Sequence, residues 1–157
     1  DAFTISSFSM VHDIGKIYIS DYILNKRGVL DAVEWEIMKS HTIAGEKILG
    51  RKPFYKIARD IARSHHENWD GSGYPQNVVG ALMPLSARIM RLVDVYDGMT
   101  SPRHYKEISG HSKAVAFITQ QSGRIFDANL VRAFLLVENE FAKLNPNSHL
   151  SEPQVYG

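Results

Sequence analysis

The sequence predicts an all-α bundle of about five to seven helices. Three observations carry this expectation. Apolar residues recur at three- and four-residue spacing in separate segments of the chain. The period-two alternation of a half-buried strand is nearly absent. Glycine and proline gather between the periodic segments rather than inside them.

The segments follow in order. Leu30-Asp31 opens the first, in which Trp35, Met38, Ile48 and Leu49 keep helical spacing around His41, and Gly50 and Pro53 punctuate its end. Ile57, Ile61 and Ala62 mark a short helix that runs into Ser64-His65-His66. Residues 67–82 hold three glycines and Pro75 with few periodic apolar positions, so they read as a loop. Pro84 stands where a helix's first turn tolerates proline, and Leu85, Ile89, Leu92, Val93 and Tyr96 follow as an apolar stripe. Thr100 to Gly110 reads as another loop. His111–Ser122 and Asp127–Leu144 read as two amphipathic helices, with Asp127 as the N-cap of the second. The last stretch, 145–157, carries Pro146 and Pro153 with little periodicity and reads as an extended or flexible tail.

Composition narrows the function classes. The 157 residues amount to one domain, large enough to bury a core without a covalent or metal staple. Hydrophobic residues at 44% and charged residues at 22% exclude a disordered tail, a collagen and a coiled coil. No apolar run approaches the ~18 residues of a membrane span. The first fifteen residues lack the basic-then-apolar pattern of a signal peptide. Cysteine is absent, which removes disulfides, thiolate metal sites and cysteine nucleophiles and fits a reducing cytoplasm. A net charge of +1 does not call for a nucleic acid polymer as partner. The seven histidines are the unusual number.

Four spots could carry chemistry: His12-Asp13, His41, His65-His66, and Asp94 with Asp97 nearby. Imidazole and carboxylate without sulfur suit borderline-to-hard divalent metals such as iron, manganese, zinc or nickel. Taken singly, each spot is as well explained by a surface or core histidine or a helix-end pair, and spacing alone does not bring them together.

The company they keep resembles a known family. His12-Asp13-Ile14-Gly15-Lys16 matches the core motif of the HD phosphohydrolase superfamily. His65 through Pro75 reads HHExxDGSGYP, the signature of the HD-GYP subfamily, to which bacterial cyclic di-GMP phosphodiesterases belong. Pro84 through Ile89, Asp94-Val95-Tyr96-Asp97, the stretch from Thr100 to Lys106, Ser122-Gly123 and Phe126-Asp127 fall in the family's order, so the resemblance covers roughly residues 10–136. It implies an HD-domain helical bundle over residues 1–144. It also implies two divalent metal ions, iron or manganese first and zinc or nickel as alternatives. The implied metal ligands are His12, Asp13, His41, His65, His66 and Asp94, with Asp13 bridging. One ion would lie near His12 and Asp94, the other near His41 and His65-His66. Two cations roughly 3.5–4 Å apart can present a hydroxide in line with a phosphodiester.

By the same resemblance Asp13 and Lys16 serve catalysis, and Lys16, one turn past Asp13, holds the scissile phosphate. Tyr74, Arg103 and Lys106 then contact substrate phosphate or guanine. Asp70 would brace the glycine-rich turn, Asp97 would support the site or a helix contact without ligating, and His104 and His111 read as surface residues. The implied reaction is hydrolysis of cyclic di-GMP to linear pGpG and on to GMP in bacterial second-messenger signalling.

The match fails at the start. Residues 1–11 hold no histidine, and Thr4, Ser6, Ser7 and Ser9 interrupt what is an apolar helix in the family. The chain therefore reads as a domain lacking its N-terminal helices, with an upstream receiver or sensor domain expected in the parent protein and an exposed scar that would favour a homodimer. The competing function is a weakly active or inactive signalling module that binds nucleotide or partner proteins.

Overall fold

The computed structural model describes residues 2–101 and 110–144. Among them every regular element is helical: the all-α expectation holds, with two isolated bridges, Asp70 to Val79 and Ser122 to Phe126, and no strand. No helix among these residues is long and apolar enough to cross a membrane.

Helix α1, Ala2–Ser9, forms despite its hydroxyl residues, because Ser7 and Ser9 donate back to carbonyls of their own helix. A turn through His12 leads into a 3-10 helix, Ile14–Tyr18, and a short α2, Asp21–Leu24. The segment expected as one helix from Leu30 to Leu49 is two, α3 (Ala32–Lys39) and α4 (His41–Leu49), broken at Ser40. Asp31 starts α3 with a full capping box, its carboxylate accepting from Glu34 N while Glu34 accepts from Asp31 N. The short helix before His65 is α5, Lys56–Ser64.

Pro84 sits one residue outside α6, Leu85–Thr100, as its N-cap rather than within its first turn. Of the expected stripe, Leu92 and Tyr96 are buried whereas Leu85 is exposed. Helix α7 spans His111–Gln120. Asp127 caps α8, Ala128–Leu135, by accepting from Asn129 N at 2.9 Å. The expected single helix to Leu144 is interrupted after Leu135, and α9, Glu138–Leu144, follows. Phe141 and Phe134 meet each other and Tyr96 edge to face, at centroid distances of 5.2–5.7 Å.

Two regions of packing result. Leu92, Tyr96, Ala114, Ile118, Phe126, Val131 and Phe134 form an apolar core between α6, α7 and α8. On the other side α4 packs on the 3-10 helix and on α5, α1 packs on α5, and Ala58, Ile61, Ala62 and Ala87 are fully buried where α5 meets α6. Gly15 makes the closest of these approaches. A Cβ there would lie 1.9 Å from the His41 carbonyl oxygen and 2.5 Å from Gly45 N, so only glycine fits. The tail 145–157 and the loop 102–109, with Arg103, His104 and Lys106, lie outside the described residues.

Candidate metal centre

The ligand candidates arrive from four places. His12 and Asp13 lie in the turn between α1 and the 3-10 helix, His41 begins α4, His65 and His66 follow α5, and Asp94 is in the middle of α6. Gly15 brings the first place against the second.

Three of the histidines are held in the same way. His12 Nδ1 lies 2.7 Å from Ser9 O, His41 Nδ1 2.7 Å from Met38 O, and His65 Nδ1 3.0 Å from Ile61 O. A carbonyl only accepts, so each Nδ1 carries the hydrogen and each Nε2 is left to face the interior. His41 Nε2 and His65 Nε2 stand 3.4 Å apart. Both face Asp13 Oδ1, at 3.3 and 3.6 Å. His12 Nε2 lies 3.3 Å from the other oxygen, Asp13 Oδ2, and 4.0 Å from Asp94 Oδ1.

The chemistry of this set calls for a cation. Ligand atoms of Asp13, His41, His65 and His66 all lie within 4.8 Å of one another. Asp13 Oδ1 is buried and accepts no hydrogen bond from the described residues. With the Nδ1 hydrogens committed to carbonyls, His41 and His65 turn their Nε2 atoms to each other and to a carboxylate. Lone pairs converging without a proton are costly in a buried place, and a divalent ion resolves the cost. The residues thus fit a metal.

The electrostatics agree. Burial alone would raise the Asp13 pKa, but contacts with His12, His65 and Lys16 outweigh it and hold the carboxyl well below its usual range. Burial pushes His41 down, and pushes His66, with His65, His41 and Arg91 adding to it, down to about 2. His12 shifts the other way: burial would lower it, but Asp13, the Ser9 carbonyl and Asp94 raise it. Lys16 Nζ sits 2.5 Å from Asp13 Oδ2, so its ammonium lies against the carboxylate one turn before it.

The loop beside the centre is built from the signature itself. Tyr74 stacks on His66, with centroids 4.8 Å apart and planes at 25°, and its other edge meets Trp35 at 5.8 Å. Gly73 sits where a Cβ would lie 2.3 Å from Asn68 N, so the chain closes on itself there. Asp70 braces the turn as expected, accepting from Ser72 N at 2.9 Å. Glu67, to which the sequence reading gave no role, is fully buried and accepts from Gln76 N at 2.6 Å and Val78 N at 3.1 Å. It holds the far half of the loop to the histidine pair. Its partners are backbone groups, which no side-chain pattern encodes.

Asp97 is exposed and accepts from Ser101 Oγ at the end of α6, so it points to no ligand. His111 is a correction. It is not a surface residue but a half-buried link between the Tyr96 hydroxyl, at 2.9 Å, and the Glu138 carboxylate. Arg91, also unassigned by sequence, donates to Asn68 Oδ1 from α6.

Comparison with known proteins adds to the geometry. A family model described as HD domain matches residues 2–130. A Vibrio cholerae protein named cyclic di-GMP phosphodiesterase is 45% identical over 141 residues, covering 85% of this chain and 29% of that protein. A Xanthomonas campestris protein named cyclic di-GMP phosphodiesterase response regulator RpfG is 42% identical over 127 residues, 80% of this chain and 34% of its own. A second Vibrio cholerae protein, named 3'3'-cGAMP-specific phosphodiesterase 2, is 41% identical over 143 residues, 90% of this chain and 27% of its own. The chain spans roughly a third of the length of these curated relatives.

Proposed function

Because the chain belongs to the HD domain family, we propose that it is a metal-dependent phosphodiesterase that hydrolyses cyclic di-GMP to linear pGpG and on to GMP. The single observation that carries the proposal is the buried Asp13 Oδ1, which faces His41 Nε2 and His65 Nε2 at 3.3 and 3.6 Å and accepts no hydrogen bond from the described residues. The names of the relatives supply the substrate.

In this reading His41, His65, His66 and Asp13 would hold one divalent ion, and His12, Asp13 and Asp94 would hold another. Iron or manganese suits the nitrogen and oxygen donors best, with zinc or nickel next. When bound, such ions would lower the pKa of water and offset the charge that grows on the phosphoryl oxygens. The Nδ1 bonds to carbonyls fix the rings of His12, His41 and His65 ahead of any ion. Lys16 exchanges its contact with Asp13 Oδ2 for a non-bridging phosphate oxygen and orients the scissile group. Tyr74, propped flat on His66, offers an aromatic face to a base or its hydroxyl to the phosphate. Arg103 and Lys106 remain assigned to substrate contacts from outside the described residues. The domain would work in the cytoplasm, below a receiver or sensor domain, with self-association as a homodimer.

A second reading concerns the substrate only. The relative named for 3'3'-cGAMP favours a mixed guanine–adenine cyclic dinucleotide.

The experiment is turnover of cyclic di-GMP by the purified chain loaded with Mn²⁺ or anaerobic Fe²⁺, followed by chromatography. Linear dinucleotide is expected, and Asp13→Asn should reduce its rate by more than about 100-fold and lower the metal content measured by elemental analysis. Tight substrate binding without product would instead favour a binding module.

A further inference from the structure

A cavity of about 510 Å³ opens beside the metal centre and shares Asp94 as a wall. Its remaining lining is Arg91, Val95, Gly98, Met99, Phe117 and Ile125. The volume falls within the roughly 300–1,000 Å³ of small-molecule sites. Its character is a slot. Met99, Phe117 and Ile125 give apolar faces, Gly98 adds no side chain, and Arg91 and Asp94 are the charged residues of the lining.

That guanidinium is placed with care. Arg91 Nε and Nη2 both donate to Asn68 Oδ1, at 3.1 and 2.9 Å. Nη1 has no protein partner among the described residues, and the second Nη2 hydrogen is likewise uncommitted. Three hydrogens are left over, and two of them, one on each Nη, form the end of a planar fork. The positive charge is taken largely out of solvent, and burial lowers its pKa accordingly. Asp94 one turn along α6 offsets part of that charge.

We propose that this slot binds one nucleobase of the substrate and that the free end of the Arg91 fork selects guanine over adenine. Guanine presents two adjacent acceptors, O6 and N7, which an arginine fork meets with two parallel hydrogen bonds. Adenine presents a donor, N6, where O6 would be, and leaves one arginine hydrogen opposed by another. The apolar walls suit the flat faces of either purine, so discrimination falls to Arg91. The inference rests on the reading of the chain as a cyclic dinucleotide phosphodiesterase, and it names the element by which a guanine-specific and a mixed-base enzyme of this kind would differ.

The test is equilibrium binding of GMP and AMP to the Mn²⁺-loaded chain by calorimetry, which needs no turnover. GMP should bind at least about tenfold more tightly than AMP. Arg91→Gln, whose amide suits adenine, should bring the two within about threefold or invert them. Arg91→Lys, which keeps the charge and loses the fork, should also shrink the ratio. Asn68→Ala frees the fork from its anchor and should also shrink the ratio. Equal affinities in the native chain, or a ratio unmoved by Arg91→Gln, overturn the proposal. Cyclic di-GMP turnover measured alongside separates the two readings. Base discrimination without hydrolysis leaves the slot and removes the phosphodiesterase, whereas hydrolysis without discrimination does the reverse.

Discussion

Asp13 has two oxygens in two environments. Oδ1 faces His41 and His65, and Oδ2 faces His12 and Lys16. The sequence motif supplied the residue and its family supplied the bridging role, but only the fold shows the division of labour between its oxygens. Gly15 is the reverse case: the motif contains it, and its reason appears only when the 3-10 helix is seen lying on α4. Gly15→Ala should cost more than about 1–3 kcal/mol, because backbone rather than a flexible side chain blocks the added methyl. Thermal unfolding would record the loss, and metal content should drop with it, since the clash falls on the carbonyl of His41. The histidines also predict a pH response of the metal-free chain. His66 and His41 have folded pKa values below the ordinary 6.5, so below that pH the unfolded chain binds protons that the folded chain refuses. Their contribution to stability is lost as pH falls. His12, raised, acts in the opposite sense, with a contribution present at low pH and lost as pH rises through its folded value. With two groups against one, and Asp13 adding its loss at still lower pH, the melting temperature of the chelated chain should decline from pH 7 to pH 4. His66→Gln should flatten that decline.

At the scale of elements, the ring anchors reveal how the helices are aimed. Ser9, Met38 and Ile61 lie in the last turns of α1, α3 and α5, and the rings that bond their carbonyls are the ligand histidines. Three helix C-termini therefore converge on the centre. Each carries about half a negative charge, so the backbone itself favours a cation there. The break at Ser40 makes this possible, because an unbroken helix would carry His41 past the end of α3 without a free carbonyl to hold it. Sequence periodicity missed the break, since the apolar spacing runs on through it and serine is no strong breaker. The interruption between α8 and α9 escaped for the same reason, although the contact between His111 and Glu138 explains it afterwards. The start of α3, by contrast, depends on local side chains alone. Asp31→Ala should cost about 1 kcal/mol by removing the capping box. Metal stoichiometry should be unchanged, as α3 contributes no ligand atom, and denaturant unfolding with elemental analysis checks both halves.

For the whole molecule, the class was legible from periodicity, and the donor chemistry from a chain rich in histidine and devoid of cysteine. The assembly was not. Residues 12, 41, 65 and 94 meet through packing of α1, α4, α5 and α6, and spacing along the chain carries no trace of that; the motif resemblance alone pointed to it. Because the proposed ligands come from so far apart, an ion bound there would tie the first two thirds of the described chain together. At a free ion concentration about 100 times its dissociation constant the folded state gains about 2.7 kcal/mol. Chelation should therefore lower the melting temperature by several degrees, read by calorimetry with and without a chelator. Helix α6 adds a final consequence. It shows Leu92 and Tyr96 to the aromatic core and Asp94 to the ion ligands, so it alone is rooted in both regions. The seat of His41, His65 and His66 meets α6 only indirectly, through the packing of α5 on it and the bond from Arg91 to Asn68. A small roll of α6 about its axis would therefore act first on the 4.0 Å gap from His12 to Asp94. The aromatic core and the centre thus share one lever.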